Sequence, residues 1–210
     1  MEAAKSIITI GREYGSGGHE IGKRLASMLN VPFYDREIIT LAAKNSGICE
    51  ELFENHDERN VPSYLFSLVT STSDIPPINA ATELPLNHRI FMAQFEAITK
   101  IAMQGPCVIV GRCGNYVLSG QPNVVSAFIY GDVETRIQRI MQIEKLTHDQ
   151  AKDRVHKMDK QRQGYYNFFA DGNWGHRSNY HLMINSSGIT QEAAANTIIA
   201  YIAGRADANP

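Results

Sequence analysis

Residues 7–25 of this 210-residue chain, IITIGREYGSGGHEIGKRL, place a β-rich run, a loop of small residues and an amphipathic helix in immediate succession. Gly15, Gly17 and Gly18 let the backbone turn tightly and aim successive N–H groups at one point, and the positive end of the helix dipole adds to them. That geometry binds phosphate. The candidate phosphate ligands are therefore Gly15, Ser16, Gly17, Gly18, His19 and Glu20. A tight strand-to-helix turn without any ligand is the plainer reading of the same residues.

Two nucleotide patterns compete for the loop. Gly11-x3-Gly15-x-Gly17 has the glycine spacing of short-chain dehydrogenases, and Asp35 follows about twenty residues later, yet no Tyr-x-x-x-Lys occurs in the chain. The G-x-G-x-x-G dinucleotide pattern also fails, because Glu20 stands where the third glycine belongs. The mononucleotide pattern G-x-x-x-x-G-K-[ST] fits the placement better but departs in residue type. Its first glycine falls on Arg12, its lysine on Gly18 and its hydroxyl residue on His19. Losing one preorganised charge at a developing anion costs roughly 10²–10³ in rate. Arg12, inside the loop, is the candidate for the missing cation, against the alternative of an exposed loop arginine. Glu20 lies near the place of the metal-holding hydroxyl and is a candidate to approach Mg²⁺; a solvated first-turn glutamate is the alternative.

The elements that position this loop are legible from periodicity. Five short β-rich runs, at 6–11, 31–35, 107–111, 124–131 and 180–186, are nearly continuous apolar segments, and they alternate with helical stretches at 18–30, 35–46, 86–104, 132–144, 147–169 and 190–202. Strands buried on both faces and separated by helices predict an α/β protein with a parallel sheet. Asp132 is the expected N-cap of one helix, and Thr147 with Gln150 makes a capping box for the next. The stretch at about 49–85 breaks the rhythm with prolines and Ser/Thr residues, and reads either as an inserted cover or as an ordinary long connection.

Between positions 145 and 162, six cationic side chains face three carboxylates, a local +3 in a chain of net charge −2. Phosphoryl transfer is mostly positioning plus cationic stabilisation, so a basic helix behind a phosphate loop suits it; a solvated face with pairs such as Asp153 to Lys157 is the plainer reading. Tyr165, Tyr166, Phe168, Phe169 and Trp174 follow, placed either to stack on a base or, the reading preferred, to pack against the core. The near-neutral net charge argues against a general polyanion binder, so no nucleic-acid or membrane partner is expected. No apolar run approaches the roughly 20 residues that span a bilayer. The start MEAAKSIITIG lacks a secretory pattern, and three unpaired-looking cysteines suit a reducing cytoplasm. Seven histidines without ligand spacing predict no protein-only metal site.

The combination ITIGREYGSGGHEIGKRLA, VPFYDREII, VIVGRCGNYVL, FIYGDVETRIQRI, DKQRQGYY and NYHLMINSS resembles the cytidylate kinase-like family, relatives of the P-loop nucleoside monophosphate kinases. The resemblance covers most of the chain apart from 49–85. It implies a three-layer P-loop nucleoside-kinase fold over 1–210, with a parallel sheet of about five strands, an acceptor-side cover at about 49–85 and a lid at about 147–170. It also implies ATP with Mg²⁺ as phosphoryl donor, and a small acceptor such as CMP or dCMP. Asp35 then matches the acidic residue that orients the acceptor, and Arg112 matches the arginine of a Gly-Arg-Asp segment, with Cys113 where the aspartate would stand. Asp159 and Arg162 match the lid's Asp-x-x-Arg, and with Arg12 they form the expected catalytic set. Two alternatives remain open: a regulatory nucleotide-binding domain with a degenerate loop, and a kinase for another small metabolite.

Overall fold

The computed structural model describes residues 5–48, 51 and 85–207, so the cover expected at 49–85 lies almost wholly outside the described residues. Five strands form one sheet in the order β2-β3-β1-β4-β5: β1 (Ile7–Arg12), β2 (Phe33–Tyr34), β3 (Cys107–Val110), β4 (Val124–Tyr130) and β5 (Leu182–Asn185). Every neighbouring pair is parallel. The apolar runs explain this arrangement, because each of the central strands β1, β3 and β4 is buried on both faces.

Helices α1 (Gly18–Leu29) and α7 (Gln191–Asp207) cover one face, where Ile21, Leu25, Ile198 and Ile202 meet Ile8, Ile10, Val108 and Val110. Helices α2 (Glu37–Ser46) and α3 (Leu86–Gln104) cover the other, where Ile38, Ala42, Ile98 and Ile101 meet Ile7, Cys107 and Ile109. The result is the expected three-layer α/β architecture. A short α4 (Gly114–Val117) follows β3, and α5 (Val133–Glu144) and α6 (His148–Phe169) form a pair beside the sheet, held by Ile137, Ile140, Ala151 and Val155.

Several expectations are refined by local chemistry. The Thr147–Gln150 capping box is present at the start of α6. Asp132 occupies the N-cap of α5, but its side chain does not cap; it accepts instead from Asn185 Nδ2 at 3.3 Å. Strand β2 shrinks to two residues because Pro32 has no N–H to donate, although its carbonyl accepts from the Val108 N–H at 2.9 Å. Helix α1 ends on Asn30 in the left-handed conformation, its N–H returned to the Ala26 and Ser27 carbonyls. The last helix runs five residues past the expected 202. The aromatic run after the basic helix packs inward: Phe169 stacks on Phe91 with ring centroids 4.4 Å apart, Tyr165 donates to Gln94 Oε1 at 2.7 Å, and Trp174 sits edge-on to Phe128. Phe168 alone of the run is exposed, and Tyr165, Tyr166 and Trp174 also line a small cavity with Arg12 and Arg112.

Candidate active site

The carboxyl ends of β1, β2 and β3 open onto two clefts, as expected where strand order reverses in an open parallel sheet. The first, about 200 Å³, is floored by the loop between β1 and α1 and lined by Gly15, Gly17, Gly18, His19 and Glu20, with Arg139 from α5 opposite. Gly15 and Gly17 both have φ of 79°, left-handed turns that favour glycine. At Gly15 space is also decisive, since a Cβ would lie 2.8 Å from the Arg136 carbonyl oxygen. The start of α1 adds N–H groups with no intrahelical partner. Ser16 is the exception among the predicted ligands: its side chain is buried, donating to the Glu13 carbonyl at 2.8 Å, and its own carbonyl accepts from Ser186 Oγ at 2.7 Å.

The second cleft, about 500 Å³, is lined by Phe33, Asp35, Arg36, Arg112 and, from α6, Arg154, Met158 and Arg162. Arg12, Tyr14, His19, Asp35 and Arg162 border both clefts, so the two open onto one junction. Asp35 is the most heavily engaged group there. It accepts from Arg112 Nη1, pairs with His19 Nδ1 at 2.7 Å, and its backbone N–H donates to Glu37 Oε2 at 3.0 Å. Burial alone would raise its pKa, but the Arg112 and Arg12 guanidiniums, with the hydrogen bonds from Arg112 and His19, outweigh it and hold the carboxyl below the ordinary value.

Arg112 is 3% exposed and reaches this place through an unusual backbone. Gly111, Arg112 and Cys113 all have positive φ, at 78°, 48° and 56°. Each non-glycine residue there costs about 1–2 kcal/mol, and such strain is kept where the surroundings fix it. Arg112 Nη1 also donates to the Val110 carbonyl at 3.1 Å, and Cys113 is sealed among Phe91, Tyr165 and Tyr166. Cys113 packs beneath α6 and lines, with Arg12, Arg112 and Arg162, a small cavity of about 20 Å³ beside the second cleft, without lining that cleft itself.

The predicted lid residues divide. Arg162 Nη1 donates to the Arg12 carbonyl at 3.2 Å, and its guanidinium lies 5.4 Å over the Tyr14 ring. Asp159 lines neither cleft: it accepts the Tyr14 N–H at 2.7 Å and pairs with Arg136 at 2.5 Å. Arg136, buried on α5, also donates to the Gly131 and Tyr14 carbonyls and lies 3.2 Å from Glu13. Glu13 in turn accepts the Gly131 N–H at 3.0 Å. Burial raises the Glu13 pKa despite these partners. The phosphate loop is therefore clasped to α5 and α6 by a network in which Arg136 is central.

Sequence reasoning gave Arg136 and Arg139 no role. The available signal was positional: Arg136, with Ile137 and Ile140, lies on the buried stripe of α5, where an arginine must have partners. Arg139 pairs with Glu20 at 3.3 Å, and its guanidinium carbon lies 3.3 Å from where a Cβ on Gly17 would be.

The cytidylate kinase-like family profile matches residues 7–188. The chain belongs to the cytidylate kinase-like family. Among solved structures, an uncharacterized protein from Eubacterium ventriosum is 32% identical, with a TM-score of 0.68 over 94% of this chain and 98% of that one. Shikimate kinase from Bacteroides thetaiotaomicron matches with a TM-score of 0.54 at 14% identity, over 94% of this chain and 98% of that one. Shikimate kinase from Acinetobacter baumannii, solved with shikimate, gives 0.52 at 14% identity, over 95% and 94%. These two likenesses show the fold: this chain has the same three-layer arrangement, a parallel sheet flanked by helices, as those P-loop kinases. No curated protein matches. No described helix is long and apolar enough to cross a membrane, and no three His, Cys, Asp or Glu side chains cluster as metal ligands among the described residues.

Proposed function

We propose that the protein transfers the γ-phosphoryl group of ATP to a small anionic acceptor. The observation that carries this reading is the junction of the two clefts, one floored by the phosphate loop and the other rich in arginine, with Arg12, Tyr14, His19, Asp35 and Arg162 on both. Donor phosphates in the first cleft and an acceptor in the second would meet there. Phosphoryl transfer needs little covalent chemistry from the protein, only alignment and charge compensation.

Arg12 takes the place of the motif lysine. It stands at the junction, and the lysine position, Gly18, packs against its Cβ. Arg162 adds a second cation from α6, which serves as the lid. Asp159 is a positioning residue, holding the Tyr14 N–H and Arg136 so that the loop keeps its shape. Asp35 and Arg112 place the acceptor. Magnesium fits the donor cleft as an ion bound mainly by the triphosphate with one or two carboxylates. Glu20 is the carboxylate at the edge of the loop that would hold it, exchanging its half-exposed Arg139 partner for the ion, since Glu13 and Glu144 are held by Arg136 and by Tyr14 and Arg154. The ion would draw charge off the transferring group.

CMP and dCMP are the acceptors that family membership suggests. A cysteine at 113 leaves the site without the carboxylate that a Gly-Arg-Asp segment would offer a base, so the acceptor class extends to other small anions. ADP release from ATP and Mg²⁺ in the presence of a panel of nucleoside monophosphates and small anionic alcohols tests the reading. Turnover with at least one acceptor is expected. ATP stabilising the fold against heat with no turnover of any acceptor would instead make the protein a regulatory nucleotide-binding domain.

A further inference from the structure

Tyr14, immediately before the first glycine of the phosphate loop, presents its ring to two arginines of α6. The guanidinium carbon of Arg162 lies 5.4 Å from the ring centroid and that of Arg154 5.8 Å. Arg154, Met158 and Arg162 recur at four-residue spacing, so they share one stripe of the helix, and all three line the second cleft. Arg162 lines the first cleft as well. The tyrosine itself is fixed at three points. Its N–H donates to Asp159 Oδ1 at 2.7 Å, its carbonyl accepts from Arg136 Nη1 at 3.2 Å, and its hydroxyl donates to Glu144 Oε1. Glu144 in turn lies 3.4 Å from Arg154 Nε. Burial and the Glu144 carboxylate raise the phenol's pKa, so the hydroxyl keeps its proton and remains a donor at neutral pH.

An aromatic face attracts a guanidinium within about 6 Å of its centroid and, unlike a carboxylate, leaves the charge uncancelled. The Arg112–Asp35 and Arg136–Asp159 ion pairs cancel theirs. The Tyr14 ring and the Arg12 carbonyl both hold Arg162 without supplying a counter-charge. An arginine on a helix surface otherwise spreads over many rotamers, and ordering it as substrate arrives opposes transfer. Resting on the phosphotransferase reading above, we infer that Tyr14 is a positioning residue for that reaction. Its ring orders Arg162 toward the transferring phosphoryl group and Arg154 toward an anionic group of the acceptor, in register with the loop that holds the donor. The division between the two arginines follows from the clefts they line, Arg162 both and Arg154 the second alone. A side chain of the phosphate loop thereby sets the cations of α6 against that loop.

The test uses the full chain and three variants. Tyr14→Leu keeps apolar bulk and the backbone contacts but removes the aromatic face, Tyr14→Phe keeps the face and removes the hydroxyl, and Arg162→Ala removes one of the cations. ADP release from ATP and Mg²⁺ is read with CMP in one arm and with water as the acceptor in another. Tyr14→Leu should lower kcat by about tenfold or more while the KM for ATP stays within about threefold, and Tyr14→Phe should retain most of the rate. On the Arg162→Ala background Tyr14→Leu should cost less than about threefold, because residues that act through one another are not additive. A ring that merely fills space would lower the melting temperature of Tyr14→Leu and leave kcat below that temperature unchanged; that result, or equal losses in Tyr14→Phe and Tyr14→Leu, would overturn the inference. Nitrogen-15 NMR of the arginine Nε–H groups reads the hold without turnover. The ring should displace the Arg154 and Arg162 signals from those of solvated arginines, Tyr14→Phe should keep the displacement and Tyr14→Leu should abolish it. Signals at the solvated position in the wild type overturn the inference, however well Tyr14→Leu folds. ATP that neither stabilises the fold nor releases ADP would instead remove the phosphotransferase reading, and the Nε–H signals would still decide whether Tyr14 holds the two arginines.

Discussion

The Cβ of Arg12 lies 2.6 Å from the point where a side chain on Gly18 would begin, so the two departures from the standard phosphate-loop pattern are in contact. A standard loop has glycine at the first position and lysine at the second; here the arginine is at the first and the glycine at the second. The charge has crossed the contact, and the glycine makes room for the stem that carries it. Arg12→Ala should therefore lower turnover at least tenfold, read as ADP release with a working acceptor. Gly18→Lys should not improve activity. The added side chain meets a Cβ and not a flexible tip, an overpacking that costs about 1–3 kcal/mol, and the melting temperature should fall by roughly 2–4 °C for each of those.

Arg136 predicts a second, purely structural vulnerability. It is 5% exposed and serves Asp159, Glu13 and two carbonyls. Arg136→Ala leaves two carboxylates facing each other without their cation, and removing one partner of a buried pair costs about 3–5 kcal/mol. Asp159→Asn keeps an acceptor for the Tyr14 N–H and should cost less. Urea unfolding of both variants checks the order: equal losses would mean that Arg136 does not bridge the network.

The parallel sheet, its five strands and six helices were legible because burial on both faces writes the central strands β1, β3 and β4 as unbroken apolar runs. The tight turns between β1 and α1 were legible because glycine spacing reflects backbone need: Gly15 and Gly17 both have φ of 79°. The clasp was not, since Arg136 joins Glu13 and Asp159 over separations that no local pattern encodes. Asp35 and Arg112 were matched by resemblance, but their pairing depends on three successive positive-φ residues at 111–113, two of them not glycine, which composition does not announce. Cys113 shows the limit most clearly: Arg112 reaches the second cleft, while Cys113 packs on the aromatic rings beneath α6 and meets only the small cavity that the two residues share. The His19 side chain was hidden for the opposite reason, because the loop motif drew attention to its N–H.

Asp35 makes stability depend on acid. Its folded pKa is lowered from 3.8, so its ionised form contributes stability above that value and the contribution is lost as pH falls from 3.8 through the lower folded value. Asp35→Asn leaves Arg112 buried without its counter-charge and should cost about 3 kcal/mol near neutrality. The gap between wild type and variant should close as the pH is lowered past 3.8. Glu13, whose pKa burial raises, acts in the opposite direction, so the difference between the two proteins isolates Asp35 where a single acid-unfolding curve would not. A gap that stays constant down to pH 2.5 would show that the pairing is electrostatically idle.

Cys113→Asp separates two effects that oppose each other. Aspartate adopts positive φ more readily than most residues, which favours the change at φ 56°. Against that, the site is 5% exposed and packed by Phe91, Tyr165 and Tyr166, and burying a carboxylate costs several kcal/mol per ion. Relief of backbone strain is worth about 1–2 kcal/mol at most, so burial wins. The variant should melt several degrees lower at pH 7, recover part of the loss near pH 5 as the carboxyl takes up a proton, and gain no transfer to CMP. A variant as stable as wild type at pH 7 would mean that Cys113 is open to the acceptor cleft after all.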